Sequence, residues 1–395
     1  MENRFRLILL IVTLLLVLLL ETPVFIEKLT QESFAVDFIA YWTSGQLLLA
    51  NDNPYSLQKV LDFQRSLGWS QRDPLLMYNP PQALPFILPF LIPKFTVAKA
   101  AWFICNILLA FSASILLWKV YGGTKYNCVW QLVLFFSYFA IHLMLQRAEI
   151  APIILIGATA FLYFEQHQRW QLAGVFATFL MVKPQVLYLF WIAIILWILH
   201  QRRWKVLIGF SLSAMSISLI PILYNPDVFY LYIREILIPG YFYHWSIPTF
   251  GTLFRYIWGR DRQWLQFLPI FFGMAWFAFH WIRHRDNWIW ADQMPWLILI
   301  CLITNVYIRS GDFALCMIPL TRAALLILHN KFDIKIFILI LIYIGINIGA
   351  WMVCLLLRDD FWFIWTMPSL LFIYAQLNWL LGRKKPVVMT QTMMH

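Results

Sequence analysis

The feature that most constrains this chain is a series of apolar runs, each long enough to cross a membrane as a helix. About 20 apolar residues span a bilayer, and runs approaching this length recur from residue 7 to residue 381. Charged residues make up 12% of the chain, about half of what a soluble protein carries. The runs are continuous, whereas the strands of a β-barrel alternate. The sequence therefore predicts an all-α polytopic membrane protein, with residues 1–395 forming one membrane-embedded domain.

Hydropathy predicts about twelve transmembrane helices. The first is expected to be an uncleaved anchor, because no small-residue cleavage site follows it. The segment 82–93 is apolar but rich in proline, so it is expected to lie along the interface or to re-enter the membrane. The predicted spans lie near residues 7–26, 98–118, 128–146, 150–164, 170–182, 185–200, 205–224, 264–281, 291–308, 313–329, 335–356 and 361–381.

The distribution of basic residues predicts the orientation of these spans. Lys and Arg gather in short connections on one side, for example at 202–205 and 383–385, and such connections face the cytoplasm. Both termini are then cytoplasmic in an inner (plasma) membrane. The net charge of +11 reflects this topology and gives no reason to expect a nucleic-acid partner. Two long loops, 27–97 and 225–263, lie outside, and the segments 38–50, 57–67 and 226–238 are expected to form interfacial helices.

Polar residues at the outer ends of the spans are the candidates for function, because ionisable groups at membrane depth are costly. Lys183 precedes a proline at a helix end, where it can bind a phosphate or simply extend to the interface. Arg147 offers the same chemistry or pairs with Glu149. Arg309 likewise either binds substrate or pairs with Asp312. The sequence leaves each of these alternatives open.

Asp37 opens the first outer loop, in Asp37-Phe38-Ile39-Ala40-Tyr41. Its carboxylate can act as a general base, a metal ligand or a helix cap. His244 lies in an aromatic loop, 241–245, that can stack on a sugar or sit at headgroup level. The sequence contains no nucleotide-binding or serine-nucleophile motif. Asp37 and Glu149 alone do not form a metal site, so no cofactor is predicted and a metal requirement is left undecided.

Several segments in order resemble the GT-C polyprenyl-phosphate sugar transferases, and most closely glycosyltransferase family 87. Asp37 to Tyr41 matches an Asp-x-x-x-Tyr start, and Lys183-Pro184-Gln185 matches a Lys-Pro-Gln segment. The departures are Leu145 and Ala148-Glu149 in a Gly-Gln-x-Asn turn, and His244-Trp245 in a later Asn-Gln-Ser pattern. The other matching positions are Asn53-Pro54-Tyr55, Tyr78-Asn79-Pro80-Pro81, Gln146, Ser246, Arg255 and Asp312.

This resemblance implies a GT-C-like fold with a long first outer loop and an active site at the outer leaflet. It implies transfer of a sugar, expected to be mannose, from a polyprenyl-phosphate donor to a lipid or glycan acceptor at the outer face, among membrane lipids. Asp37 takes the role of the base, and the cations stabilise the leaving phosphate. The implied donor- and substrate-binding residues are Lys183, Arg147, Arg309, Gln185, Gln146, Tyr41, His244, Arg255 and Asp312.

Two other classes of protein compete with this interpretation. A transporter or flippase for lipid-linked sugars predicts paired ionisable residues near the midplane and broken helices in two related halves. A polysaccharide-export subunit does not require Asp37 and Lys183 to converge. Convergence of these two side chains on one site therefore discriminates an enzyme from a scaffold.

Overall fold

The computed structural model describes residues 35–125, 127–238, 246–330, 333–357 and 359–381. This part of the chain is built from helices and contains no β-strand, which confirms the predicted all-α class. The predicted first span, 7–26, and His244 lie outside the described residues.

The α-helices are numbered here in chain order. They are α1 (Val36–Leu49), α2 (Leu57–Ser66), α3 (Leu84–Ile87), α4 (Phe95–Val120), α5 (Val129–Ser137), α6 (Phe139–Arg147), α7 (Ala151–Gln166), α8 (Trp170–Ala177), α9 (Tyr188–Gln201), α10 (Trp204–Tyr224), α11 (Val228–Tyr232), α12 (Phe250–Trp258), α13 (Leu268–His284), α14 (Trp290–Thr304), α15 (Met317–His329), α16 (Ile334–Leu356) and α17 (Thr366–Leu381).

Short 3₁₀ and π segments extend or connect these helices. The 3₁₀ segments are Pro81–Ala83, Leu88–Phe90, Thr178–Val182, Pro184–Leu187, Gln263–Gln266, Arg285–Asn287, Ser310–Cys316 and Asp360–Phe363, and the π segment is Ile233–Leu237. Several of them stand at the ends of the long apolar helices, where the backbone changes direction.

Within the described residues, six helices are long and apolar enough to cross a membrane. A seventh span arises if α5 and α6 are one helix bent by 64° at its middle. The predicted spans near 150–164, 170–182 and 291–308 correspond to shorter apolar helices, and a helix of 16 residues reaches only about 24 Å at 1.5 Å per residue. The several long apolar helices indicate a multi-pass membrane protein, while the count of twelve is not confirmed.

The first outer loop is folded against the helices that follow it. Residues 57–67 form the predicted amphipathic helix α2, and 226–238 is helical in α11 and the π segment. Residues 38–50 were expected to lie on the membrane surface, but α1 is buried over most of its length. Phe38 stacks on Trp102 with ring centroids 5.6 Å apart, and Trp42 contacts Phe95 at 5.3 Å. A helix that is apolar on every side belongs inside the protein, which explains the difference.

Small residues allow the closest helix pair to form. A Cβ added to Gly174 of α8 would collide with the Val206 carbonyl oxygen of α10, and one added to Gly209 would collide with the Gln171 carbonyl. Close approach of two backbones through small residues is the usual way that helices associate in a membrane. α8 precedes the break at Lys183 and α10 follows it in the chain. Their contact therefore holds together segments from both sides of that break.

Candidate active site

The polar turns that connect the apolar helices meet at one place. Asp37 lies in the first turn of α1, and Arg147 and Glu149 lie at the corner between α6 and α7. The break between α8 and α9 contributes Lys183. Two 3₁₀ segments that precede α15 and α17 bring the remaining charged residues. The predicted outer-side positions are therefore neighbours in space.

The corner between α6 and α7 is held by the long helix α4. Ala148 adopts a left-handed conformation with φ 54°, which reverses the chain within one residue. The Trp102 indole N–H donates to the Ala148 carbonyl at 2.9 Å, and the Asn106 amide donates to the Glu149 carbonyl at 3.1 Å. The Ala35 N–H donates to the Gln146 carbonyl at 2.8 Å and ties the start of α1 to the same corner. These bonds satisfy the exposed carbonyls of a helix end.

Lys183 is fixed by an ion pair across the fold. Its backbone is extended, with φ −150°, because the following proline disfavours the helical conformation. The Nζ donates to both carboxylate oxygens of Asp312, each at 2.7 Å. Asp312 is completely buried and also accepts the Arg309 backbone N–H at 2.8 Å. The expected side-chain pair between Arg309 and Asp312 does not form; Lys183 takes that place.

Asp360 joins both arginines of the cluster. It accepts from Arg147 Nη2 at 2.8 Å, from Arg309 Nε at 2.7 Å and from the Ser310 hydroxyl at 2.7 Å. Burial by itself raises the pKa of a carboxyl, but Arg147 and Arg309 outweigh this and hold the pKa of Asp360 well below its usual range. Arg147 also approaches Glu149, at 3.5 Å, so the Arg147–Glu149 pair, one of the alternatives left open by the sequence, is present as the longer of two ion pairs.

Sequence reasoning did not single out Asp360. The signal that points to it is its position: in the predicted topology the turn between the last two spans lies on the same side as Asp37, Lys183 and Arg309. A carboxylate in that turn can reach the cations of the other turns, but the pairing itself depends on how the helices pack.

Glu149 is a buried carboxyl of the cluster with one oxygen that is unpaired in the described part of the chain. It is 2% exposed, and its Oε2 has no hydrogen-bond partner among the described residues. A Cβ added to Gly311 would collide with this carboxyl group. Burial raises the pKa of Glu149 to about 7, with Asp37 and Asp312 acting in the same direction against Lys183 and Arg147. The group therefore titrates near neutral pH.

Replacing Gly311 by Ala is expected to lower the stability of the protein by about 1–3 kcal/mol, because the new methyl group overpacks the site. The measurement is thermal unfolding of the purified variant in detergent. Gly345→Ala is the matched control: a Cβ at that position on α16 meets open space. Equal unfolding temperatures for both variants would contradict the close packing of Glu149 on Gly311.

A partly enclosed cavity lies over these groups. The Asp37 carboxylate faces it and receives no hydrogen bond from any described side chain. Burial raises the pKa of Asp37, while Arg309, Arg147 and Lys183 oppose that rise. The N-cap residue of α1 is Ala35, and Asp37 lies in the first turn that follows it. No side-chain cap bond is present at this helix start, so Asp37 is not its cap. The lining residues are Asp37, Ala40, Tyr41, Leu75, Leu76, Tyr78, Asn79, Glu149, Lys183, Gln185, Tyr307 and Arg309.

Not every predicted site residue lines this cavity. Tyr41 and Gln185 do, whereas Gln146 stands behind it with its carbonyl bound to Ala35. Arg255 lies on α12, where it donates to the Arg260 carbonyl at 3.1 Å, away from the cavity lining. Tyr78, Asn79 and Tyr307 are cavity residues that were not assigned a role from the sequence. Among the described residues, no three or more His, Cys, Asp and Glu side chains are grouped to hold a metal ion.

The fold and the site define a class: a helical membrane protein whose polar turns enclose a charged cavity. The sequence profile of glycosyltransferase family 87 matches residues 77–304, more than half of the 395 residues. The chain belongs to glycosyltransferase family 87 and is thus a membrane glycosyltransferase with a sugar donor and an acceptor. The match includes Lys183, Arg147 and Glu149, while Asp37, Arg309 and Asp312 lie outside it. No curated protein and no solved structure matches the chain.

Proposed function

We propose that this enzyme transfers a sugar, mannose in the first instance, from a polyprenyl-phosphate donor to a lipid or glycan acceptor at the outer membrane face. The observation that carries the proposal is the cavity itself: it combines a carboxylate without a hydrogen-bonding partner among the described residues, Asp37, with two cations, Lys183 and Arg309. An acceptor hydroxyl needs a base, and a departing phosphate needs positive charge. The apolar Leu75 and Leu76 on the cavity wall suit a lipid-borne substrate.

In the proposed reaction the acceptor oxygen attacks the anomeric carbon of the donor. A bond forms between that oxygen and the carbon, the bond from the carbon to the phosphate oxygen breaks, and its electron pair stays on the phosphate. Asp37 takes the proton of the acceptor hydroxyl. A single displacement of this kind inverts the anomeric configuration relative to the donor.

The raised pKa of Asp37 favours this role. A general base is most effective when its pKa approaches the working pH, and burial moves the pKa of Asp37 in that direction. The three nearby cations, Arg309, Arg147 and Lys183, oppose this rise. Positive charge close to the leaving phosphate is expected to supply the largest part of the catalytic effect.

The direct test is transfer of radiolabelled sugar to membrane lipid extract by the purified protein. Polyprenyl-phosphate mannose, glucose and arabinose are supplied in parallel, together with a nucleotide sugar as the donor without a lipid. Label transfer from one of the lipid-linked donors alone supports the proposal. Transfer from the nucleotide sugar alone contradicts the lipid-linked donor, and transfer from none of the four contradicts the proposal and favours a transporter or export role.

Removing the charge of Lys183 is expected to raise the KM for the donor by about 10- to 100-fold, since a hydrogen bond to a charged group contributes about 1.5–3 kcal/mol.

Lys183→Ala also leaves the buried Asp312 carboxylate without its cation, so the effect on stability must be separated from the effect on donor binding. The double variant Lys183→Met with Asp312→Asn removes both charges and is expected to fold but bind donor weakly. Lys59→Ala, in an exposed pair with Asp52, is the control. An unchanged donor KM in the double variant would remove Lys183 from the phosphate site.

A further inference from the structure

We propose that Glu149 binds the donor phosphate as a neutral carboxylic acid, with its Oε2 hydroxyl donating a hydrogen bond to a phosphate oxygen, so that donor binding is coupled to protonation of this side chain. The inference rests on the proposed function, because it names the phosphate of that donor as the ligand. It assigns a binding role to a residue at which the chain departs from the family pattern.

The first argument is the unsatisfied oxygen. Glu149 lines the cavity, is 2% exposed, and leaves Oε2 without a partner among the described residues. An unpaired polar atom in a buried position is destabilising. Asn106 and Arg147 contact other atoms of the same residue, so they do not remove this cost. A ligand in the cavity that accepts a hydrogen bond from Oε2, or donates one to it, would remove this cost.

The second argument is charge balance. Among the described residues of the cluster, four carboxylates stand against three cations. The site thus carries one excess negative charge when every group is ionised, and a phosphodiester would add a second. Protonation of Glu149 removes one of them and creates a donor where the anion enters. The carboxylates are Asp37, Glu149, Asp312 and Asp360, and the cations are Arg147, Lys183 and Arg309.

The surroundings of Glu149 distinguish it from the two carboxyls that have short ion pairs, Asp312 and Asp360. The two arginines beside Asp360 hold its pKa below the usual range. The one ion pair of Glu149 with a described residue is the 3.5 Å contact to Arg147, and its carboxyl group is packed against Gly311. Its raised pKa, about 7, agrees with this assignment. The titratable and charged groups around it are Asp37, Tyr41, Arg147, Lys183, Arg309 and Asp312.

Phosphate is favoured over a sugar hydroxyl as the partner of Oε2 because two cations line the same cavity. A sugar hydroxyl is neutral and would bind equally well to the ionised carboxylate, as a donor. A phosphate oxygen accepts only, so it requires the protonated form. A phosphate ligand therefore predicts an affinity that falls as the pH rises, whereas a hydroxyl ligand predicts an affinity that does not depend on pH.

The test is the affinity of the protein for a prenyl phosphodiester between pH 6 and pH 8.5. A phosphodiester keeps one negative charge over this range, so only the protein titrates. Because the pKa of Glu149 is raised, the donating form exists below about pH 7 and is lost above it. We expect the wild-type affinity to fall by about tenfold between pH 7 and pH 8.5. Glu149→Gln, whose amide donates at every pH, is expected to bind with no pH dependence and to match or exceed the wild type at pH 8.5.

Four controls assign the effect. Glu165→Gln, the same substitution at the far end of α7, should keep the wild-type pH dependence. Asp37→Asn should keep a pH dependence whose midpoint lies at lower pH, because Asp37 raises the pKa of Glu149. A prenyl alcohol, which lacks the phosphate, should bind without pH dependence. Dimethyl phosphate, which lacks the chain, should bind weakly but with the wild-type dependence if the headgroup alone is recognised. An unchanged pH dependence in Glu149→Gln, or its loss in Glu165→Gln instead, would overturn the inference.

The outcome also separates this inference from the proposed function. If the wild type transfers sugar but Glu149→Gln binds with the wild-type pH dependence, the role of Glu149 alone is wrong. If phosphodiester binding follows the expected pH dependence but no lipid-linked donor supports transfer, the proposed function is wrong and the phosphate site stands.

Discussion

Replacing Asp37 by Asn is expected to lower kcat for sugar transfer by about 10²- to 10⁴-fold, the contribution of a well-placed general base. The amide has nearly the shape of the carboxylate but cannot accept the acceptor proton. Donor binding should persist or tighten, since the change removes a negative charge from a cavity that receives phosphate. The measurement is the initial rate of label transfer at saturating donor, together with the dissociation constant of a prenyl phosphodiester.

The matched control for this variant is Asp62→Asn, in the same outer loop. Asp62 is exposed on α2 and bonds only to Gln58 among the described residues, so its replacement should leave transfer and folding unchanged. Equal turnover of Asp37→Asn and the wild type would remove Asp37 as the base.

The largest loss of stability is expected for Asp360→Ala. This change leaves Arg147 and Arg309 without their shared carboxylate, and an uncompensated buried charge costs about 3–5 kcal/mol. Arg147 keeps its contacts to the Ser310 hydroxyl at 3.2 Å and to Glu149 at 3.5 Å but loses its short ion pair, so the cavity should distort and activity should fall with stability. The measurement is the free energy of unfolding in mixed detergent micelles, with the exposed Asp73→Ala as the control.

The pH dependence of this stabilisation has a definite sign. Since the pKa of Asp360 is lowered in the folded protein, its contribution is fully present above the unfolded pKa of about 4 and is lost only as the pH falls further. The difference in stability between the wild type and Asp360→Ala should thus be constant from pH 6 to pH 8. A difference that vanishes within that range, or an Asp360→Ala variant as stable as the wild type, would show that the two arginines do not depend on Asp360.

The sequence predicts the helices of this protein well because hydropathy acts locally. Each predicted span from 98–118 onward has a helical counterpart in the described residues. Length is less predictable: α14 ends at Thr304, before the predicted span near 291–308 ends, because the turn at Asn305 interrupts the apolar run. The burial of α1 was missed because a loop between spans was assumed to be interfacial, whereas its own apolar composition favours a buried helix.

The polar residues of the site were also predictable one at a time, since each is costly at membrane depth. The partners of these residues were not predictable from the sequence. Lys183 pairs with Asp312, 129 residues later, and Arg147 pairs with Asp360, 213 residues later. Such pairs depend on which helices are neighbours, and no local pattern records that. The unpaired Oε2 of Glu149 was not predictable either, because its confinement depends on the packing of Gly311 against the carboxyl group.

The most direct measurement is a cryo-electron microscopy structure of the Asp37→Asn variant with its lipid-linked donor bound, because this variant is expected to bind donor without consuming it. The account predicts the phosphate in the cavity, within hydrogen-bonding distance of Lys183, Arg309 and Glu149. It also predicts the anomeric carbon on the side of residue 37, leaving room for an acceptor hydroxyl about 3 Å from that side chain. A donor bound elsewhere, with this cavity empty, would contradict the assignment of the active site.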